Sequence, residues 1–246
     1  MTSPVGPTAP GRGLPRGQLL FVSALLLVGA GFLALSAYRA LRPEPPPARG
    51  PDLAEGARAD LEQRGFRPLS GPLARLLAGT DAESFPTQAH PLLGRAAPGF
   101  ELEDSDAKPW RLDDRGPVVL VFYLGYSCPH CVSQLFALSK DAEKFAELGA
   151  RVVAVSADPP ALTRKRFERY GKFAFPVLSD PGNRVAQQYG CYRPKTDKSD
   201  EDQRHGTFVI ARQGKVVWAN TGEEPFTEDR TLLIELARAE GRLPKR

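Results

Sequence analysis

The sequence predicts an α/β domain, with a central mixed sheet flanked by helices, preceded by one N-terminal transmembrane helix. Three observations predict it. From about residue 92 onward, apolar runs of strand length alternate with segments of helical period. Near the C-terminus two such runs are joined by Gln213-Gly214, a hairpin signal that makes the last strands antiparallel. No charge interrupts Gly17 to Tyr38.

Composition narrows the function classes. The 246 residues carry a formal charge of +4 with acidic and basic side chains intermixed, which gives no footprint for nucleic acid. Hydrophobic residues make up 41%, enough for a real core. Three cysteines cannot form a disulfide scaffold, and no second Cys-x-x-Cys completes a structural zinc site. The one methionine is Met1, so the core does without this soft, oxidisable side chain. No cofactor is expected.

Residues 1–17 are rich in Pro and Gly, with Arg12 and Arg16 as the charges, and are expected to be a disordered basic leader. Residues 18–41 are expected to be the transmembrane anchor. The uncharged stretch Gly17–Tyr38, as a helix, spans about 33 Å against a hydrocarbon core of roughly 30 Å. The alternative is a cleaved signal peptide, for which Leu35-Ser36-Ala37 is a poor processing site. Arg39, Arg42 and Arg49 offset the leader's arginines, so charge does not orient the span. A short leader followed by a large domain places that domain on the periplasmic side of a cell inner membrane.

Residues 42–91 read as a tether. Arg42-Pro43-Glu44-Pro45-Pro46-Pro47 predicts an extended spacer. Asp52 to Leu61 and Pro72 to Ala78 predict short helices, the second with a Leu73, Leu76, Leu77 stripe; whether they pack on the domain or on the bilayer is open. His90, before Pro91, reads as a solvated loop histidine.

Residues 92–246 are the predicted domain. Gly94 to Leu102 is a turn entering an edge strand, and Asp113 to Pro117 closes that segment. Val118 to Tyr123 is a continuous apolar run, as a strand covered on both faces requires. The helix that follows has its inward stripe at Leu135, Leu138, Ala142 and Phe145. Arg151 to Ser156 is a strand, Pro160 to Tyr170 a helix with a charged face, and Phe175 to Leu178 a short strand before the Asp180-Pro181-Gly182 turn. Cys191 follows a further helix. Thr207 to Ala211 and Lys215 to Ala219 form the hairpin, and Thr227 to Ala239 is the closing helix.

The chemistry centres on Cys128-Pro129-His130-Cys131 at the first strand–helix junction, where a Cys-x-x-Cys reads as a thioredoxin-like redox motif. Pro129 suits the first helical turn because its absent N–H needs no partner. Cys128 then falls at the helix N-cap, where free N–H groups and the macrodipole favour a thiolate. A protonated His130 adds a second positive charge. Cys131 is one turn on, on the inward stripe, so attack by Cys128 and resolution by Cys131 is the expected order. The rival is a structural disulfide or a pair of inert thiols.

The stretches Ala97-Pro98-x-Phe100-x-Leu102, Val118 to Gln134, Phe175-Pro176-Val177-Leu178-Ser179-Asp180, and Gly206-Thr207-Phe208-Val209-Ile210 together resemble the redoxin family. That family includes the alkyl hydroperoxide reductase/thiol-specific antioxidant proteins and has the thioredoxin fold. The resemblance runs over about residues 92 to 240 and implies thiol-dependent reduction of peroxides or of disulfides. It also implies a thiol or disulfide protein as electron donor or acceptor.

Laid on that family's Pro-x-x-x-Thr-x-x-Cys, the proline falls on Leu124, the threonine on Cys128 and the peroxidatic cysteine on Cys131. The family's Glu or Gln falls on Gln134, and its peroxide-activating Arg on His205, with Arg204 beside it. Cys-Pro-His-Cys is also similar to the tetrad of oxidising periplasmic thiol oxidases, whose cis-proline position is again His205. The two alignments name different nucleophiles, and the helix-end argument favours Cys128. Cys128 and Cys131 are therefore the expected catalytic pair, tuned by His130, Gln134 and His205.

A binding-class alternative is a Cu(I) metallochaperone using Cys128, Cys131 and His205, since two thiolates and an imidazole suit that ion. The layout is similar to that of copper chaperones of cytochrome-oxidase assembly, although those space their cysteines Cys-x-x-x-Cys.

Outside this motif, Cys191 reads as a small semi-buried residue, with an extra resolving thiol or a link to a second chain as the alternative. Arg164 to Lys172 reads as a solvated face, Lys195 to Gln203 as a mobile loop, and Trp110 and Trp218 as packing residues. Glu223-Glu224-Pro225-Phe226, after the hairpin, reads as a capped loop before the last helix, with an approach to the site as the alternative.

Overall fold

The computed structural model describes residues 53–78, 84–112, 116–126 and 129–244. The predicted leader, membrane span and Pro-rich spacer lie outside them. Among the described residues no helix is long and apolar enough to cross a membrane. The described part belongs to one compact unit, Pro51–Arg246.

Seven strands form one mixed sheet in the order β2-β1-β5-β4-β3-β8-β9. They are β1 Glu101–Asp104, β2 Pro109–Arg111, β3 Val118–Phe122, β4 Arg151–Ser156, β5 Val177–Ser179, β8 His205–Ile210 and β9 Val216–Gly222. β3, β4 and β5 run parallel, and β8 and β9 close the sheet antiparallel, as the sequence predicts. The family-like α/β pattern is thus present, with one shift at the other end. The expected edge strand β1 is inside the edge, because β2 pairs on its outer side and brings Trp110 across from Leu102. Trp110 stacks on Phe100, with the Arg151 guanidinium over its ring at 5.2 Å.

β3 shows why the sheet sits in the middle of the domain. All five residues are buried, and they alternate between two cores. Val119 and Val121 face the layer of helices α1 (Leu53–Gln63), α3 (Pro129–Lys140), α4 (Ala142–Glu147), α5 (Pro160–Tyr170) and α7 (Asp229–Ala239). Val118, Leu120 and Phe122 face the layer of α6 (Arg184–Gln188) and the 92–102 segment. A strand buried on both faces has to be a continuous apolar run, which is how it reads in the sequence.

The single helix expected after the cysteines is two. Leu135, Leu138 and Phe145 are fully buried as the stripe requires, but Asp141 breaks the helix with φ −104° and ψ 8°. Its carboxylate is turned inward and accepts the Leu69 N–H at 2.8 Å, a tie the helical period does not encode. At α6 the cap comes from Asp180, whose Oδ2 accepts the N–H groups of Val185 and Ala186 at 2.9 Å each.

The two helices expected before the domain form and pack on it. The α1 residues Leu53, Ala54, Ala57 and Leu61 are buried, with Leu53 and Ala57 in the same core as Val132 of α3. Leu73, Leu76 and Leu77, on and just after α2 (Leu73–Leu76), lie against that core. The stretch read as a mobile loop, Lys195 to Gln203, is instead the far part of a small β-arm. In it β6 (Tyr192–Arg193) pairs antiparallel with β7 (Asp202–Gln203). His90 is half-buried rather than solvated, edge-on to Phe208 at 5.1 Å, and burial lowers its pKa.

Candidate active site

The loop from β3 to α3 is held by a carboxylate. Asp158 Oδ2 accepts the Tyr126 N–H at 2.8 Å, and burial raises the pKa of this group against that hydrogen bond. Gly125 lets the carboxylate approach. Its φ is +93°, and a Cβ there would lie 2.9 Å from Asp158 Oδ2. Ser127 and Cys128 lie outside the described residues. α3 then opens with Pro129 in its first turn, followed by His130 and Cys131. Cys131 is buried at 5% exposure. At this place in the first turn its sulfur lies at the end of the helix that favours an anion.

Opposite the helix stands β8. Thr207 Oγ1 accepts Gln134 Nε2 at 2.8 Å, in full burial. His205 is two residues earlier and therefore on the same face, about 6–7 Å back along the strand. Gln134 to His130 is one helical turn back along α3, about 6 Å. The two steps bring His205 and His130 together, and their rings meet edge-on at 6.1 Å. His205 is 2% exposed, and its Nδ1 donates to the Glu223 carbonyl oxygen at 2.8 Å. A carbonyl only accepts, so Nδ1 carries the proton and Nε2 presents a lone pair. Among the described residues that Nε2 has no partner, and neither has Gln134 Oε1. Burial pushes the His205 pKa down to about 4, with the Glu223 carbonyl opposing and His130 adding to it. His205 is a neutral imidazole at ordinary pH.

His130 is gripped from the other side by charged groups. Its Nδ1 is 2.9 Å from Asp60 Oδ1, and its Nε2 is 3.1 Å from Glu224 Oε2. Arg64 joins the two carboxylates, with Nε donating to Asp60 at 2.8 Å and Nη2 to Glu224 at 2.5 Å. Arg64 Nη2 also lies 2.7 Å from His130 Nδ1. One ring nitrogen cannot both donate to Asp60 and accept from Arg64, so this second contact reflects the guanidinium's grip on the carboxylates that flank the ring. Burial alone would raise the Asp60 pKa; hydrogen bonds from His130, Ser133 and Arg64 outweigh it and hold it low. The hydrogen bond from Arg64 likewise lowers the pKa of Glu224.

Of the residues singled out from the sequence, the structure brings His130, Cys131, Gln134 and His205 to one place. Glu224, read as part of a capped loop, reaches the site. Asp60, Arg64 and Thr207 were not anticipated. Thr207 was accessible through the two-residue strand period from His205, whereas for Asp60 and Arg64 the sequence offers no signal beyond the four-residue spacing of an acid and a base. Cys191 faces the other core at 1% exposure, with Sγ directed to the Tyr189 carbonyl at 3.6 Å. Burial pushes its thiol pKa well up, which fits the packing reading rather than a resolving thiol. Among the described residues no group of three His, Cys, Asp or Glu side chains is placed to hold a metal ion, so the Cu(I) alternative gains no support.

Fold and site together define a thioredoxin-like α/β domain with a cysteine in the first turn of the helix that follows its central strand. The AhpC/TSA family model matches residues 93–219. The chain belongs to the AhpC/TSA family. A chloroplastic peroxiredoxin Q of Populus jackii is 38% identical over 125 residues, covering 50% of this chain and 57% of that protein. A putative peroxiredoxin of Mycobacterium tuberculosis is 35% identical over 127 residues, covering 50% of this chain and 81% of that one. Among solved structures, peroxidoxin BcpB from Mycobacterium tuberculosis superposes with a TM-score of 0.52 at 32% identity, over 62% of this chain and 98% of that one. A peroxiredoxin-like protein from Aquifex aeolicus shares the fold, with a TM-score of 0.51 at 18% identity, over 61% of this chain and 90% of that one. The chain spans little more than half the length of the Populus jackii and Oryza sativa relatives it matches.

Proposed function

We propose that this protein is a thiol peroxidase that reduces hydroperoxides with the Cys128–Cys131 pair. The observation that carries the reading is the buried Cys131 in the first turn of α3, in an AhpC/TSA domain, with Gln134 and the neutral His205 beside that helix. The names of its relatives, peroxiredoxin Q and peroxidoxin, point the same way.

In this reading the Cys128 thiolate attacks the terminal oxygen of the hydroperoxide. An S–O bond forms, the O–O bond breaks, and the alcohol or water leaves with a proton. The Cys131 sulfur then attacks the sulfenic acid, an S–S bond forms, and water leaves. A dithiol protein returns the two electrons by exchange with that disulfide. Residues 18–41 tether the enzyme to a membrane, with the domain on the periplasmic side. Exchange with protein disulfides is open to the same pair.

The test is peroxide consumption by the reduced full chain and by Cys128→Ser and Cys131→Ser, with dimedone trapping of sulfenic acid. Cys128→Ser is expected to be inactive. Cys131→Ser is expected to consume one equivalent and accumulate a trapped sulfenic acid on Cys128. Loss of all consumption in Cys131→Ser alone, with Cys128→Ser still reacting, would make Cys131 the attacking thiol. No consumption by the wild-type chain would end the proposal.

A further inference from the structure

Helix α1 lies outside residues 93–219, yet it covers the head of α3. At Gly56 a Cβ would fall 2.8 Å from Pro129 Cβ and 2.9 Å from its Cγ, so the two helices approach at a point where no side chain fits. One turn further along α1 stands Asp60, and Arg64 follows just past the end of the helix, both in contact with His130. Glu224, beyond β9, completes the ring of charges. Asp60 is 70 positions from His130 and Glu224 is 160 from Arg64, and their common point is the histidine between the two cysteines.

We infer that α1 is part of the active site: Asp60 and Arg64, with Glu224, form a charged collar around His130 that sets how readily the Cys-Pro-His-Cys thiols ionise. Arg64 and Asp60 are positioning residues in this scheme. They reach the thiols through the field at the helix start and through the placement of the imidazole. The titratable and charged groups facing His130 are Asp60 and Arg64 from the α1 side, Glu224 from beyond β9, and His205 from β8. The collar holds one cation between two anions: removing Arg64 leaves both carboxylates uncompensated at the head of α3, whereas removing either carboxylate takes one negative charge away from it.

The inference rests on the dithiol reading above, but its test reads thiol ionisation rather than peroxide turnover, so the two can fail separately. In the reduced full chain, the alkylation rates of Cys128 and Cys131 are followed against pH by mass spectrometry, and the first midpoint of the pair is taken. Arg64→Ala is expected to raise that midpoint by about half a pH unit or more, the effect of one charge across partly wet protein. Asp60→Asn and the exposed Glu224→Gln are expected to lower it. Arg58→Ala, which removes the same charge from the outer face of α1, is expected to leave it in place. Gly56→Leu, which must push α1 off Pro129, is expected to speed alkylation of Cys131 severalfold. Opposite shifts for Arg64→Ala and Glu224→Gln carry the inference even where Asp60→Asn does not fold. Shifts of the same sign, or none in either, overturn it.

Discussion

Gly206 and Cys191 offer a test of how the strand beneath the site is packed. Gly206 follows His205 on β8, and a Cβ built there would lie 2.2 Å from Cys191 Sγ and 3.0 Å from Phe208 Cε2. Ordinary contact needs about 3.5–4.0 Å, so Gly206→Ala drives the methyl at least about 1.3 Å into the sulfur. Its φ is not positive, so the backbone accepts alanine and the whole penalty is steric. Overpacking of this kind costs about 1–3 kcal/mol, and a clash this deep on a fully buried sulfur belongs at about 3. Cys191→Ala alone removes one buried sulfur from a site that is 1% exposed, for about 1 kcal/mol.

If the two changes were independent, the double variant would lose about 4 kcal/mol. Because removing the sulfur makes the room the methyl needs, the double variant is expected to lose only about 1 kcal/mol, a coupling of about 3 kcal/mol. Urea unfolding of the wild type, both single variants and the double variant measures it. Peroxide consumption by Cys191→Ala should stay at the wild-type level. Additive losses would refute the packing account. Loss of turnover in Cys191→Ala would return the resolving role to this thiol.

Three further outcomes are expected. His205 binds its proton near pH 4 when folded and near 6.5 when unfolded, so its contribution is complete above 6.5 and is lost as pH falls toward 4. The loss totals about 3 kcal/mol, and His205→Gln should flatten unfolding free energy against pH in that window. Asp229 and Asp141 are both buried, and burial and each other's charge keep the Asp229 carboxyl protonated well above the usual range. Its stabilisation is full below the unfolded carboxyl value and fades as pH rises through the folded one; Asp229→Asn should therefore stabilise the fold at pH 8 and change it little at pH 4, as urea unfolding at the two pH values would show. Gly125→Ala meets both a positive φ and the Asp158 carboxylate, and should lose about 1–3 kcal/mol while changing the alkylation rate of Cys131. An unchanged melting curve would show that Asp158 does not hold this loop.

What the sequence determined by itself was everything written in local pattern. The run Val118–Phe122 declared a strand covered on both faces, Leu135 and Leu138 declared the inward side of α3, and Gln213-Gly214 declared the hairpin. Cys-Pro-His-Cys at the strand–helix junction, with Gln134 and the Gly206-Thr207-Phe208 stretch, pointed to the family. These signals are legible because burial repeats every two residues in a strand and every three to four in a helix. The tertiary structure alone decided where α1 docks, why α3 stops at Asp141, that Cys191 packs against Gly206, and which charges surround His130. Asp60 is 70 residues from His130 and Arg64 is 160 from Glu224, and no local period carries such distances. A salt bridge on a short amphipathic helix reads the same whether it faces water or a histidine between two thiols, and only the packing of Gly56 against Pro129 chose between them.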